Sequence, residues 1–207
     1  MSQHTAELRG LVQQRLNQFD PSEATGSQQH TQAAVALTVV NNGGEACLIV
    51  TRRTSKLKDH GGQWALPGGR VDVGENVLEA ARRELSEEVA LSLPDESLLG
   101  TLDQYATRSG YVITPVIFWS DATPEDLTPS PDEVESIHMF SFSELLRGDS
   151  PNLERIPESD REVLSMNYLD DVIYSPTAAM LYQFREVCLL GNKTRVAHFD
   201  QPVFAWK

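Results

Sequence analysis

The chain reads as a mixed α/β fold in which helices pack on a largely antiparallel or mixed sheet. Three patterns in its 207 residues carry that expectation. The first is a pair of β-rich runs, Ala33 to Val40 and Glu45 to Arg52, flanking Asn41-Asn42-Gly43-Gly44, which suits a tight hairpin turn. The second is residues 75 to 90, where Leu78, Ala81, Leu85 and Val89 form an apolar stripe with no Gly or Pro between them. The third is a later pair of strand-like runs, Leu98 to Ala106 and Tyr111 to Trp119, around Ser109-Gly110.

The other elements follow in order. Leu8, Leu11, Val12, Leu16 and Phe19 fall at helical spacing, so residues 5 to 19 read as a helix stopped by Pro21. Ser22 to Gln32 is polar and reads as a linker, which divides the chain into residues 1–32 and a main domain over 33–207. Arg53 to Gln63 is a loop containing Gly61-Gly62, and Trp64 to Leu66 is a short strand before Pro67-Gly68-Gly69. Asp121 to Asp132 carries Pro124, Pro129 and Pro131 and reads as a loop. Val134 to Phe140 is a strand, after which Ser141 or Ser143 caps a short helix. Thr177 to Leu190 reads as a late helix, and Thr194 to Trp206 alternates like a closing strand. No internal repeat is visible.

Composition narrows the function classes. Seventeen Lys and Arg stand against 30 Asp and Glu, a net charge of −13. A general binder of nucleic acid or of anionic membranes needs a basic surface, so neither partner is expected. A small phosphorylated substrate remains compatible, because a distant negative field is screened beyond about 8–10 Å. Cys47 and Cys188 lie far apart with no C-x-x-C spacing and read as two reduced cysteines. No apolar run approaches the ~20 residues of a membrane span. The expected location is the cytoplasm. The mildly amphipathic stretch from Thr5 to Phe19 offers weak support for a mitochondrial address, and Ala205-Trp206-Lys207 does not match the peroxisomal tripeptide.

Residues 69 to 91, GRVDVGENVLEAARRELSEEVAL, are the most informative stretch. With Leu85 facing the core and about 100° per residue, Glu88 falls about 60° to one side, Glu84 about 100° and Glu87 about 160°. Three carboxylates on one flank repel one another, and a divalent cation removes that penalty. Mg²⁺ takes oxygen ligands at about 2.0–2.1 Å, with water and phosphate completing its shell. Such a metal can neutralise a phosphoanhydride and acidify a bound water. Arg83 is placed to pair with Glu79 or Glu75, or to touch phosphate itself. Gly68-Gly69 lets the backbone turn sharply and come close to metal or substrate. The competing reading is a solvated charged face. Six matched positions, Gly69, Glu75, Arg83, Glu84, Glu87 and Glu88, make chance agreement on the order of 10⁻⁵ at average composition.

This stretch resembles the signature of the Nudix hydrolases. The resemblance implies an α/β/α sandwich with a mixed central sheet, here with an N-terminal helix and a C-terminal helix and strand added. It implies metal-dependent cleavage of a nucleoside diphosphate linked to another moiety. It also implies Glu84, Glu87 and Glu88 as ligands of Mg²⁺ or Mn²⁺, with Arg83 and Glu75 as supporting positions. The signature ends Glu-Glu-x-Gly-apolar, whereas Ala90 stands here in place of glycine. A slightly extended helix is expected from that exchange.

The segment LIVTRRTSKLKDHGGQWALPGG (48 to 69) is similar to the accessory motif of coenzyme A pyrophosphatases within that family. Ile49-Val50-Thr51, Arg53, Thr54, Gly62 and Pro67-Gly68-Gly69 fit it, while Lys58 replaces an arginine and Leu66 a phenylalanine. Lys58 keeps the charge and loses the bidentate fork. Residues 107–119, TRSGYVITPVIFW, resemble the same subfamily. The implied substrate is coenzyme A or an acyl derivative, with Arg53, Lys58, Gly68 and Gly69 in its binding site. The alternatives are NADH, ADP-ribose, nucleotide sugars, dinucleotides or oxidised nucleoside triphosphates, and a Nudix-fold sensor that binds without cleaving.

Lesser candidates complete the reading. Glu133 is a further metal contact or base by resemblance, against a solvated loop acid. His60 is a loop histidine with a phosphate contact as its alternative, and His138 reads as a structural histidine. Tyr105 and Tyr111 are packing residues or stacking platforms for a base. The helix at the start and the region after Pro176 shape the substrate pocket or a dimer interface, leaving monomer and homodimer both open.

Overall fold

The computed structural model describes residues 2–24, 30–56 and 61–206. Its elements are α1 (Ala6–Asn17), β1 (Thr31–Asn42), β2 (Glu45–Arg53), β3 (Trp64–Ala65), β4 (Gly68–Arg70), α2 (Val77–Val89), β5 (Leu98–Thr101), β6 (Tyr105–Ala106), β7 (Tyr111–Trp119), β8 (Val134–Ser141), α3 (Phe142–Leu145), β9 (Asn152–Arg155), β10 (Glu162–Tyr168), β11 (Asp171–Tyr174) and α4 (Thr177–Phe184).

The central sheet is mixed. β1 pairs in parallel with the whole length of β7, from Thr31 opposite Tyr111 to Val39 opposite Trp119. On its other edge β1 pairs antiparallel with β2 and, further toward its start, with β4. β8 and β3 add to β2, and β5 and β6 to β7. The β1–β2 turn is the two-residue Gly43-Gly44, both with positive φ (61° and 92°), as a tight hairpin requires.

Both sheet faces are covered, which explains why β1 and β2 are apolar almost without interruption. Ala34, Ala36, Val40, Cys47, Ile49, Val116 and Phe118 pack on Ala80, Ala81, Leu85 and Val89 of α2. Leu37, Val39, Leu48 and Val50 point the other way, into a core shared with Leu8, Val12 and Leu16 of α1 and Ala178, Leu181 and Phe184 of α4. The result is the α/β/α sandwich that the sequence led us to expect. Cys47 and Cys188 are both free and buried, and burial pushes the Cys47 thiol up to about 11.

Several expectations change in detail. Gly68–Arg70, where a sharp turn was expected, is the strand β4, and the stretch from Leu98 to Ala106 is two short strands rather than one. Thr194 to Trp206 is not a closing strand. A single bridge, Asp200 with Val163, and a 3₁₀ turn at Val203–Ala205 are its only regular features among the described residues. Its apolar side chains Val196 and Phe199 reach the core without a partner strand. The sequence reading also missed an antiparallel sheet of β9, β10 and β11. The late helix is present, with its end from Arg185 to Leu190 widened into a π-helical segment. Arg15 of α1 donates to the carbonyls of Cys188 and Leu189 there, at 2.9 and 2.6 Å. No helix among the described residues is long and apolar enough to cross a membrane.

Ala90 does not extend α2. The helix ends at Val89 and Ala90 adopts the left-handed conformation, φ 60° and ψ 23°, with its N–H bonded to the Ser86 carbonyl. Left-handed backbone costs an L-residue with a β-carbon about 1–2 kcal/mol, and glycine avoids that cost. Ala90→Gly is therefore expected to stabilise the fold by about 1 kcal/mol. Thermal melting should register a rise of about 2–4 °C. A lower melting temperature would show that the alanine side chain earns its place by packing.

Candidate active site

The position of the glutamates is set by how α2 begins and which face it buries. Asn76 caps the helix: its side chain accepts the N–H groups of Leu78 and Glu79 at 2.9 and 3.1 Å, and Glu79 accepts the Asn76 N–H at 2.8 Å. This reciprocal arrangement satisfies the open donors of the first turn. Glu79 is thereby a capping residue and not the partner of Arg83. Burial of Ala81, Leu85 and Val89 then fixes the rotation of the helix. Glu88 is 2% exposed. The Glu84 side chain is 13% exposed and that of Glu87 60%. The order follows their angular distance from Leu85.

Arg83 ties the cluster together. Its Nε and Nη2 donate to the two carboxylate oxygens of Glu75 at 3.0 and 3.1 Å, a two-pronged bond. Its Nη1 donates to Glu84 at 2.8 Å and Glu87 at 3.1 Å, and Nη2 also reaches the Arg70 carbonyl at 3.0 Å. The bond from Arg83 is the main reason that Glu75 lies below the ordinary glutamate range. The same bond, against the cost of burial, raises Arg83.

Burial acts most strongly on the two inner carboxylates. It pushes Glu84 up, against the pull of Arg83. It pushes Glu88 up to about 8, although the Gly68 N–H and the charge of Arg53 both favour the ionised form. Gly68 N–H is 3.4 Å from Glu88 Oε1. Glu133 is exposed, and its charge contributes to raising both Glu84 and Glu88. Its backbone carbonyl accepts the Thr54 N–H at 2.9 Å.

Gly68 and Gly69 lie in β4, where they are needed for close approach rather than for a sharp turn. A β-carbon on Gly68 would sit 2.4 Å from the Ala34 carbonyl oxygen. One on Gly69 would sit 2.2 Å from Glu84 Oε1. The Gly69 backbone and the Glu84 carboxylate are thus pressed together, and the strand forms a floor beside the glutamates.

The donor set suits a hard divalent cation. It consists of carboxylate oxygens, and the buried Glu88 carboxylate gains most from added positive charge. Among the described residues no three acidic, histidine or cysteine side chains are already gathered round one point. Arg83 draws Glu84 and Glu87 toward itself.

A cavity of about 830 Å³ opens beside this floor. Arg53, Gly68, Gly69, Arg70 and Tyr111 line one side. No glutamate of α2 lines it, so the cavity meets the helix through the two glycines. Tyr111 accepts from Arg70 Nη2 at 2.6 Å, whereas Tyr105 is buried with its hydroxyl bonded to the Phe199 carbonyl at 3.1 Å. Tyr111 faces the cavity and Tyr105 is packing. His138 stacks edge-on to Trp64 at 4.7 Å and bonds Ser136 Oγ at 2.8 Å, a structural histidine. Lys58 and His60 lie outside the described residues.

A further wall is made by Asp171, Val172, Tyr174 to Thr177, Phe204, Ala205 and Trp206. The region after Pro176 therefore does contribute to the cavity, whereas the part from Asp171 to Ser175 was not expected there. The aromatic residues were visible in the sequence, but neither their strands nor their direction could be read from it. Beside this wall Arg52 is neutralised by Asp171 at 2.6 Å, and Trp64 Nε1 donates to the same carboxylate at 2.9 Å.

Comparison with known proteins agrees with this geometry. A sequence model of the NUDIX domain matches residues 30–165. An uncharacterized Nudix hydrolase, NudL, of Pectobacterium atrosepticum is 33% identical over 170 residues, spanning 80% of this chain and 86% of that protein. The NudL of Citrobacter koseri is 37% identical over 119 residues, covering 56% and 60% of the two chains. Among solved structures, a Nudix hydrolase from M. smegmatis, RenU, shares the fold with a TM-score of 0.50 at 22% identity, over 78% of this chain and 87% of that one. With the glutamate helix, the glycine floor and the domain match in agreement, the chain belongs to the Nudix family and is a pyrophosphohydrolase acting on a nucleotide derivative.

Proposed function

We propose that the substrate is coenzyme A or an acyl-coenzyme A. Water attacks one phosphorus of the diphosphate bridge and the P–O bond of the anhydride breaks. The products are 3′,5′-ADP and 4′-phosphopantetheine, or its acyl form. The observation that carries this choice is the shared cavity. Arg53 and Gly68-Gly69 from one coenzyme A-type segment, and Thr107, Ser109 and Tyr111 from the other, line the same space.

Nudix hydrolases generally use divalent metals, and the site residues follow from that chemistry. Glu84, Glu87 and Glu88, with Glu133 at the rim, would hold Mg²⁺ or Mn²⁺. The bound metal supplies charge neutralisation on the diphosphate and a more acidic water. Glu75 and Arg83 hold the glutamates in register. One carboxylate of the cluster accepts the proton of the attacking water. Arg53 and Lys58 bind phosphate oxygens, including the 3′-phosphate. The retained glutamates favour an enzyme over a sensor.

The test is a panel of coenzyme A, acetyl-coenzyme A, NADH, ADP-ribose, a nucleotide sugar and a diadenosine polyphosphate, each with Mg²⁺ or Mn²⁺ and products resolved by chromatography. Coenzyme A or its acyl form is expected to give the highest kcat/KM. A tenfold advantage for any other member would overturn the assignment. A nucleotide that raises the melting temperature without ever being consumed would point to a sensor.

A further inference from the structure

The cavity has two chemically different ends. Beside the glycine floor stand Arg53 and Arg70, suited to phosphate oxygens. The other end is aromatic and comes from chain beyond the family match, which stops at residue 165. Tyr174 of β11 meets Phe204 edge to face, with ring centres 5.3 Å apart and planes at 88°. Phe204 is 51% exposed although it lines a cavity.

Phe204 is held in place by its surroundings. The turn that carries it is closed by the Ala205 N–H bonding the Pro202 carbonyl at 2.9 Å. On one side Trp206 lies under the Arg108 guanidinium at 4.8 Å. Arg108 in turn donates to Asp200 at 2.8 Å, and the Asp200 side chain is only 3% exposed. Asp200 N–H bonds the Glu162 carbonyl at 2.8 Å, which fixes the segment to β10. An anchored, half-exposed aromatic ring in the lining of a cavity is placed to receive another ring.

We infer that Phe204, seated against Tyr174, is a specificity-determining residue that stacks on the nucleobase of the substrate. The inference rests on the nucleotide-hydrolase reading and adds which part of the substrate the C-terminal segment takes. A flat base suits this end better than a flexible aliphatic arm, for two reasons. Stacking on an aromatic face is available to every base. The exposed Ser109 hydroxyl borders the same cavity and can meet a base's edge. Arg52 is neutralised by Asp171, so the aromatic end does not compete for phosphate.

The experiment compares AMP with ribose 5-phosphate, two ligands that differ by the base and lack the anhydride bond. Calorimetric titration of the full chain with Mg²⁺ present should show AMP binding about tenfold more tightly. Phe204→Ala should abolish that preference while ribose 5-phosphate binds as before. Phe204→Leu, which keeps the apolar volume and loses the ring, should abolish it too, and Phe204→Tyr should restore it. Circular dichroism checks that each variant is folded. A wild-type protein without the preference would overturn the inference, as would a Phe204→Leu variant that keeps it. Glu87→Gln separates the two readings: it should lose hydrolysis and keep the AMP preference. If the wild type hydrolyses no nucleotide at all, the catalytic reading fails while the binding comparison still stands.

Discussion

Glu88→Gln is expected to lower kcat by about a thousandfold or more while the protein stays folded. Loss of a single group that stabilises developing charge costs about 10²–10³ in rate, and a glutamate proposed to hold the metal should cost at least as much. The fold survives for a reason visible in the site. Glu88 is buried and burial already pushes its carboxyl up to about 8. A neutral amide of the same shape is therefore no intrusion, and its oxygen can still face the Gly68 N–H. Glu87→Gln should lose activity similarly, with even less effect on stability because that side chain is 60% exposed. Steady-state turnover and a thermal melt on the same preparations are sufficient. Activity above a tenth of wild type in both variants would remove these glutamates from the mechanism.

The second large effect is a contrast between two neighbouring glycines. In Gly69→Ala the new methyl group falls 2.2 Å from Glu84 Oε1, the far end of a side chain that can rotate away. Folding is spared, but Glu84 leaves its place beside Arg83 and the floor. Turnover should fall by about 100-fold, the scale on which displaced catalytic groups lose rate. In Gly68→Ala the methyl group meets backbone, 2.4 Å from the Ala34 carbonyl oxygen and 2.7 Å from the Val35 α-carbon. These backbone atoms cannot rotate away, so β4 must part from β1. Overpacking of this kind costs about 1–3 kcal/mol or more. Denaturant titration should find Gly68→Ala the less stable variant, with Gly69→Ala close to wild type. Equal losses of stability would mean that the floor yields as one piece.

What could be read from the sequence was mostly local. The Gly43-Gly44 turn, the stripe on α2 and the Ser141 cap each depend on a few adjacent residues. The Ser141 side chain accepts the Glu144 N–H, so the first of the two serines proposed is the cap. The glutamate cluster was legible for the same reason, because one helix carries it. β4 was hidden because three residues with two glycines show no alternation. β9 to β11 were hidden among charges such as Glu154, Arg155, Glu158, Asp160 and Arg161, which look like loop. Thr194 to Trp206 misled in the opposite direction. Its alternation reflects side chains dropping into a core, and no strand was there to pair with it. The parallel match of β1 to β7 and the aromatic wall depend on distant partners, which periodicity does not encode. Ala90 shows the limit of propensity: a good helix former sits where the chain has to turn left-handed.

The parallel pairing of β1 with β7 has a consequence for synthesis on the ribosome. β1 and β2 emerge together and can close their hairpin early. The long edge of β1 then waits for β7, and β2 waits for β8, until residues far downstream have left the exit tunnel. Throughout that interval a ribbon apolar on both faces presents unpaired backbone groups to other nascent chains. Slower translation between Asn42 and Tyr111 prolongs the exposure. Yield of native protein from cells should therefore respond to growth temperature and chaperone supply more than the stability of the finished sandwich would suggest.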